Sequence, residues 1–142
     1  MVVTIDRTSL RGLHPLHALL LAATTTLFLG ALLSDVAYAS SYQVQWLNFA
    51  SWFIAGGLVL GALVLVFALV VLLRADLRVG RPLLYFVLVL AIWVLGFINA
   101  LLHAKDAWAS MPAGMFVSAI VAALACVATW VGFSSLRAGG TP

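Results

Sequence analysis

The sequence predicts an all-α fold: an integral membrane four-helix bundle with both termini on the cytoplasmic side. Three observations lead there. Of the 142 residues, 65% are hydrophobic and 8% are charged, where soluble domains carry about 45–50% and roughly 25%. One small water-soluble core has no room for that much apolar surface. Four segments, 16–38, 49–73, 83–103 and 113–135, reach the ~20 apolar residues that a helix needs to cross the hydrocarbon layer. The basic residues, finally, fall almost wholly on one side of those segments.

The first span follows HPLH, residues 14–17, where Pro15 suits a helix start because first-turn N–H groups have no internal partner. Arg7 and Arg11 before it and AYA at 37–39 imitate a secretory signal with a small-residue cleavage site. The apolar run between them is long enough to span, so a retained transmembrane helix is expected. SSYQVQ then leads to the second span, an almost wholly aliphatic segment. It holds GGLVLG, 56–61, in which Gly57 and Gly61 have the G-x-x-x-G spacing that lets helices approach closely. This face serves either internal packing or a partner.

RADLRVGRP supplies charge and Pro82 before the third span, and HAKDAWASMP supplies Pro112 before the fourth. Backbone polar groups in lipid must be satisfied internally, so all four spans are expected as helices. Arg7, Arg11, Arg74, Arg78, Arg81 and Arg137 share the side of the two termini, and only Lys105 stands opposite. By the positive-inside rule this puts both termini in the cytosol of a multi-pass protein of the bacterial inner membrane. Tyr38, Tyr42, Trp46, Trp52 and Trp108 then form the outer aromatic belt.

The charge and cysteine content exclude other classes. Seven basic residues without interleaved aromatics on a polar surface give no nucleic-acid footprint. The one cysteine, Cys126, cannot form an intrachain disulfide and reads as a small packing residue. No nucleophile–base pair, phosphate loop or cysteine cluster is visible. The threonines at 24–26, inside the first span, are expected to bond back to carbonyls or across to another helix.

The candidate polar site is Asp35, Asn99, His103 and Asp106. Asn99 and His103 are four apart, and His103 and Asp106 three apart, so a continued helix puts them on one face. Asp35, at the end of the first span, reaches the same boundary, about 27 Å from His17 at 1.5 Å per residue. An Asp–His contact between helices would suit proton exchange, quinone hydrogen bonding or a metal. The plainer account has Asn99 bonded to a neighbouring helix and His103, Lys105 and Asp106 solvated.

His14 and His17 form a weaker candidate, a pair on one helix face without a third ligand. They come from one turn, so they cannot ligate a haem b from opposite faces, and His103 lies a membrane thickness away. No metal is predicted, and haem b or quinone is the cofactor that the alternative would need.

Three stretches, HPLHALLLAATTTLFLGALLSD (14–35), WLNFASWFIAGGLVLGAL (46–63) and NALLHAKDAWASMPAG (99–114), together resemble a bacterial membrane family known as domain of unknown function twenty-two thirty-one. The similarity covers about residues 12–138. Its most distinctive part is N-A-L-x-H-x-x-D-A-W. The resemblance implies a four-helix membrane bundle found beside, or fused to, periplasmic redox modules such as Rieske, cytochrome c or quinoprotein dehydrogenase domains. Many relatives add a proline in the first span and a histidine near the start of the third. Here those places read AATTT and LLYF, which removes a further ligand from the side of His14 and His17.

The leading expectation is a non-catalytic accessory or anchor subunit of a larger cytoplasmic-membrane complex, in respiratory or photosynthetic electron transfer. The alternative is a quinone- or haem-binding electron-transfer protein using His103, Asp106 and Asp35 at the periplasmic face. A transporter is disfavoured, since the span centres hold no charge.

Overall fold

The computed structural model describes residues 14–74, 80–105 and 107–138. Among the described residues five helices follow one another: α1 Pro15–Ser41, α2 Val44–Arg74, α3 Arg81–His103, the single turn α4 Ala107–Ser110, and α5 Ala113–Ala138. Among the described residues there is no strand. The four long helices are long and apolar enough to cross a membrane. They run past the expected spans at most ends, because a helix continues into the headgroup zone until local chemistry stops it.

That chemistry is visible at the termini. The His14 ring caps α1 by accepting from the Leu16 N–H at 3.3 Å, and Pro15 opens the first turn. Tyr42 closes α1 in the left-handed conformation, φ 56°, with its N–H on Tyr38 O at 2.7 Å. Gly80, φ 98°, turns the chain into the Arg81–Pro82 start of α3. A side chain is disfavoured in that backbone region.

α2 packs on α1 and α3, and α5 packs on the same two helices. The four long helices therefore stand at the corners of a square, with α1 and α3 across its diagonal. Leu21, Phe28, Val64, Val89, Ile92, Val121, Ala125 and Ala128 form the core. Phe28 sits at its centre because two glycines make room. A Cβ on Gly57 would come within 2.9 Å of the Phe28 ring, and one on Gly96 within 3.1 Å. Gly57 and Gly61 are both buried, so the G-x-x-x-G face of α2 points inward.

The outer surface is the reverse of a soluble protein's. Trp52 is 77% exposed, Val59 65% and Trp130 73%. Apolar side chains at such exposure belong in lipid or against a partner. Cys126, read from the sequence as a packing residue, lies on this exposed face instead. Tyr42, Trp46 and Trp52 are exposed as a belt requires, whereas Tyr38 is buried; the Trp108 side chain lies outside the described residues.

Candidate functional site

The polar interior is concentrated at the end of the bundle where α1 and α3 finish and α5 begins. Asp35 and Asn99 are fully buried, Ser118 is 1% exposed and His103 7%. They form a closed ring of hydrogen bonds over three helices. The Asn99 side-chain amide Nδ2 donates to Ser118 Oγ at 2.8 Å, and Ser118 Oγ donates to Asp35 Oδ2 at 2.5 Å. Asp35 Oδ1 lies 2.8 Å from His103 Nε2, and His103 Nδ1 lies 2.9 Å from the Asn99 carbonyl oxygen.

The ring fixes its own proton order. A carbonyl only accepts, so His103 Nδ1 carries a hydrogen. Ser118 receives the amide N–H and spends its own hydrogen on Asp35 Oδ2. One proton remains for the His103–Asp35 contact, and it makes the pair neutral overall whichever partner holds it. An unpaired charge would cost several kcal/mol at such burial, so neutrality is what lets two ionisable groups sit here.

Each position has a local cause. Asn99 and His103 are one helical turn apart on α3 and point the same way. Gly114, near the start of α5, presses on the imidazole: a Cβ there would fall 2.9 Å from His103 Cε1. The ring needs that missing methyl. One atom lacks a partner, Asn99 Oδ1.

Asp35, Asn99 and His103, singled out in the sequence, thus meet in one site. Asp106 lies outside the described residues, and α3 ends at His103 with Ala104 as its cap. Asn99 bonds a neighbouring helix as the plainer account required, and Lys105 is exposed. His103 is not solvated: its burial and both ring contacts place it inside the bundle. Ser118 was missed. A lone serine between apolar residues of a lipid-facing helix is the sole signal for it, since small hydroxyls there tie helices together.

At the opposite end His14 and His17 both pack on the Phe67 ring but take different hydrogen-bond partners. His14 is an exposed cap stacked on Phe67, whereas buried His17 bonds across the bundle to the Tyr85 hydroxyl at 2.7 Å. Tyr85 lies in the LLYF stretch and was also missed. Midway, Thr25 joins α1 to α5 through Thr129 Oγ1 at 2.7 Å. Thr24 and Thr26 bond back to carbonyls of their own helix. Among the described residues no group of three metal-ligating side chains is assembled.

The chain was compared with known proteins on this basis. A family model described as a predicted membrane protein, DUF2231, matches residues 13–137. No curated protein matches, and no solved structure does.

Proposed function

This chain belongs to a family of predicted membrane proteins, DUF2231, and on that footing we propose that it is a non-catalytic subunit of a larger cytoplasmic-membrane complex. The observation that carries this reading is the inward closure of the polar set. Asp35, Asn99 and His103 spend their hydrogen bonds on one another and on Ser118. What the bundle offers its surroundings is an apolar exterior suited to lipid and to other membrane helices. The excess of arginine on the terminal side supports cytosolic termini in an inner membrane. The family resemblance supports a redox assembly, respiratory or photosynthetic, as the complex that this chain anchors or accompanies.

Mild detergent extraction of native membranes, followed by native electrophoresis, tests the proposal. The chain should migrate with a complex many times its own mass. Migration alone, under conditions that keep other membrane complexes whole, would overturn it.

A second reading, an electron-transfer protein holding quinone or haem b at Asp35 and His103, is favoured by the contact between those two side chains. A ligand there would have to displace Asp35 or the Asn99 carbonyl, since both ring nitrogens of His103 are engaged. Protein purified from its own membrane with neither a haem spectrum nor extractable quinone would remove this reading.

A further inference from the structure

The unpartnered oxygen of Asn99 has a consequence for the ring beside it. As it stands, hydrogen bonds run from the Asn99 amide to Ser118 and on to Asp35, with one proton shared between His103 Nε2 and the other carboxyl oxygen. Turning the amide over by 180° exchanges Nδ2 for Oδ1 and points an acceptor at the Ser118 hydroxyl. Ser118 then donates to Asn99 Oδ1 and must accept from the other side. Only a protonated Asp35 can supply that hydrogen, from Oδ2.

The reversed order keeps four hydrogen bonds: Asp35 Oδ2–H to Ser118, Ser118 to Asn99 Oδ1, His103 Nε2–H to Asp35 Oδ1, and His103 Nδ1–H to the Asn99 carbonyl. It holds one more proton than the order in the structure. One end of the amide is unpartnered in either order, the oxygen in the first and the nitrogen in the second, so no hydrogen bond is lost on the way.

We propose that the Asp35–His103–Asn99–Ser118 ring is a reversible proton-binding site with two hydrogen-bond orders, the second reached by turning over the Asn99 amide.

The second order carries a net positive charge in a buried site, so it is reached only by acidification. His103 is the last residue of α3, and Gly114 beside its imidazole is the second residue of α5, so opposite helix-dipole ends meet at the site. The other titratable and charged groups near this end are few. α1 adds Tyr38, and the turn after α3 adds exposed Lys105 together with Asp106, which lies outside the described residues. α2 has none before Arg74 at its far end, and the described side chains of α5 include no charged group.

The test uses the full chain in lipid vesicles, with protons as the only ligand. Infrared difference spectra between neutral and acid pH, with isotope labels on aspartate and on asparagine, read the carboxyl and the amide separately. One protonated-carboxyl band, absent in Asp35→Asn, should appear together with a shift of one asparagine amide band at the same midpoint. Asn99→Ala should abolish the amide shift, which assigns that band to Asn99. A carboxyl that titrates while every amide band stays still overturns the two-order ring. So does a chain that loses its helical circular dichroism before any buried carboxyl takes a proton. Neither result depends on whether the chain belongs to a complex, which native electrophoresis answers separately.

Discussion

His103 meets Asp35 at the same sequence offset, 68 residues, at which Tyr85 meets His17. Both contacts join α1 to α3, which share no edge of the square and run parallel. The two pairs are 18 residues apart along each helix, about 27 Å at 1.5 Å per residue. The diagonal of the bundle is therefore braced once at each end, and the braces agree on one register. Sliding α3 by a residue would break both at once.

The Asp35–His103 brace depends on its hydrogen bonds more than on its charge. Asp35→Asn keeps an acceptor for Ser118 and offers an amide N–H to a neutral His103, so the loss of stability should stay within ~1 kcal/mol. Asp35→Ala strands Ser118 and His103 in a dry site and should cost about 3–5 kcal/mol, as should His103→Ala, which leaves a buried carboxylate alone. Thermal unfolding in detergent, followed by circular dichroism, compares the three. Equal losses in Asp35→Asn and Asp35→Ala would show that charge, not bonding, holds this end.

The two glycines of the G-x-x-x-G segment are not equivalent. A methyl on Gly57 meets the Phe28 ring at 2.9 Å, and that ring is 2% exposed and already pressed by Gly96. A methyl on Gly61 meets only Thr24 and Trp93, at 3.5 and 3.6 Å, which is ordinary contact. Gly57→Ala should therefore destabilise by roughly 1–3 kcal/mol through overpacking, and Gly61→Ala by less than about 0.5 kcal/mol. The same unfolding assay separates them; a Gly61→Ala chain as weak as Gly57→Ala would contradict the packing.

The helices were legible in the sequence because lipid leaves the backbone few options and because a span has a required length. Their inward faces were not. α1 and α2 are apolar nearly all round, so no hydrophobic stripe says which side meets the bundle. For that reason Gly57 and Gly61 fitted packing and docking equally well from the sequence. Asn99 and His103 were related correctly by helical spacing, but that spacing does not say whether they face water or the interior. Ser118 and Tyr85 carry no pattern of their own; only the partner across the bundle makes them polar anchors.

The His17–Tyr85 brace should be weaker than the Asp35–His103 one and independent of it. Tyr85→Phe removes one hydroxyl from His17 and leaves the ring packing intact, for a loss of about 1–2 kcal/mol. Groups ~27 Å apart share no partners, so Tyr85→Phe combined with Asp35→Ala should give the sum of the single losses within about 0.5 kcal/mol. A double-mutant cycle measures this. Coupling well beyond that margin would mean that the two ends of the diagonal communicate through the Phe28 layer.

The orientation expected from the charges is open to direct labelling. Arg74 and Arg81 are exposed at one end of the bundle and Lys105 at the other. Short cytoplasmic segments carry the arginine excess, so Lys105 should face outward. In a Cys126→Ser background, Lys105→Cys in intact cells should react with a membrane-impermeant maleimide. Arg81→Cys should react only after the membrane is opened. Each substitution lies on an exposed turn or helix start, so neither disturbs the core. The reverse labelling pattern would invert the bundle and put the Asp35–His103 ring on the cytosolic side, where the protons that reach it come from the other compartment.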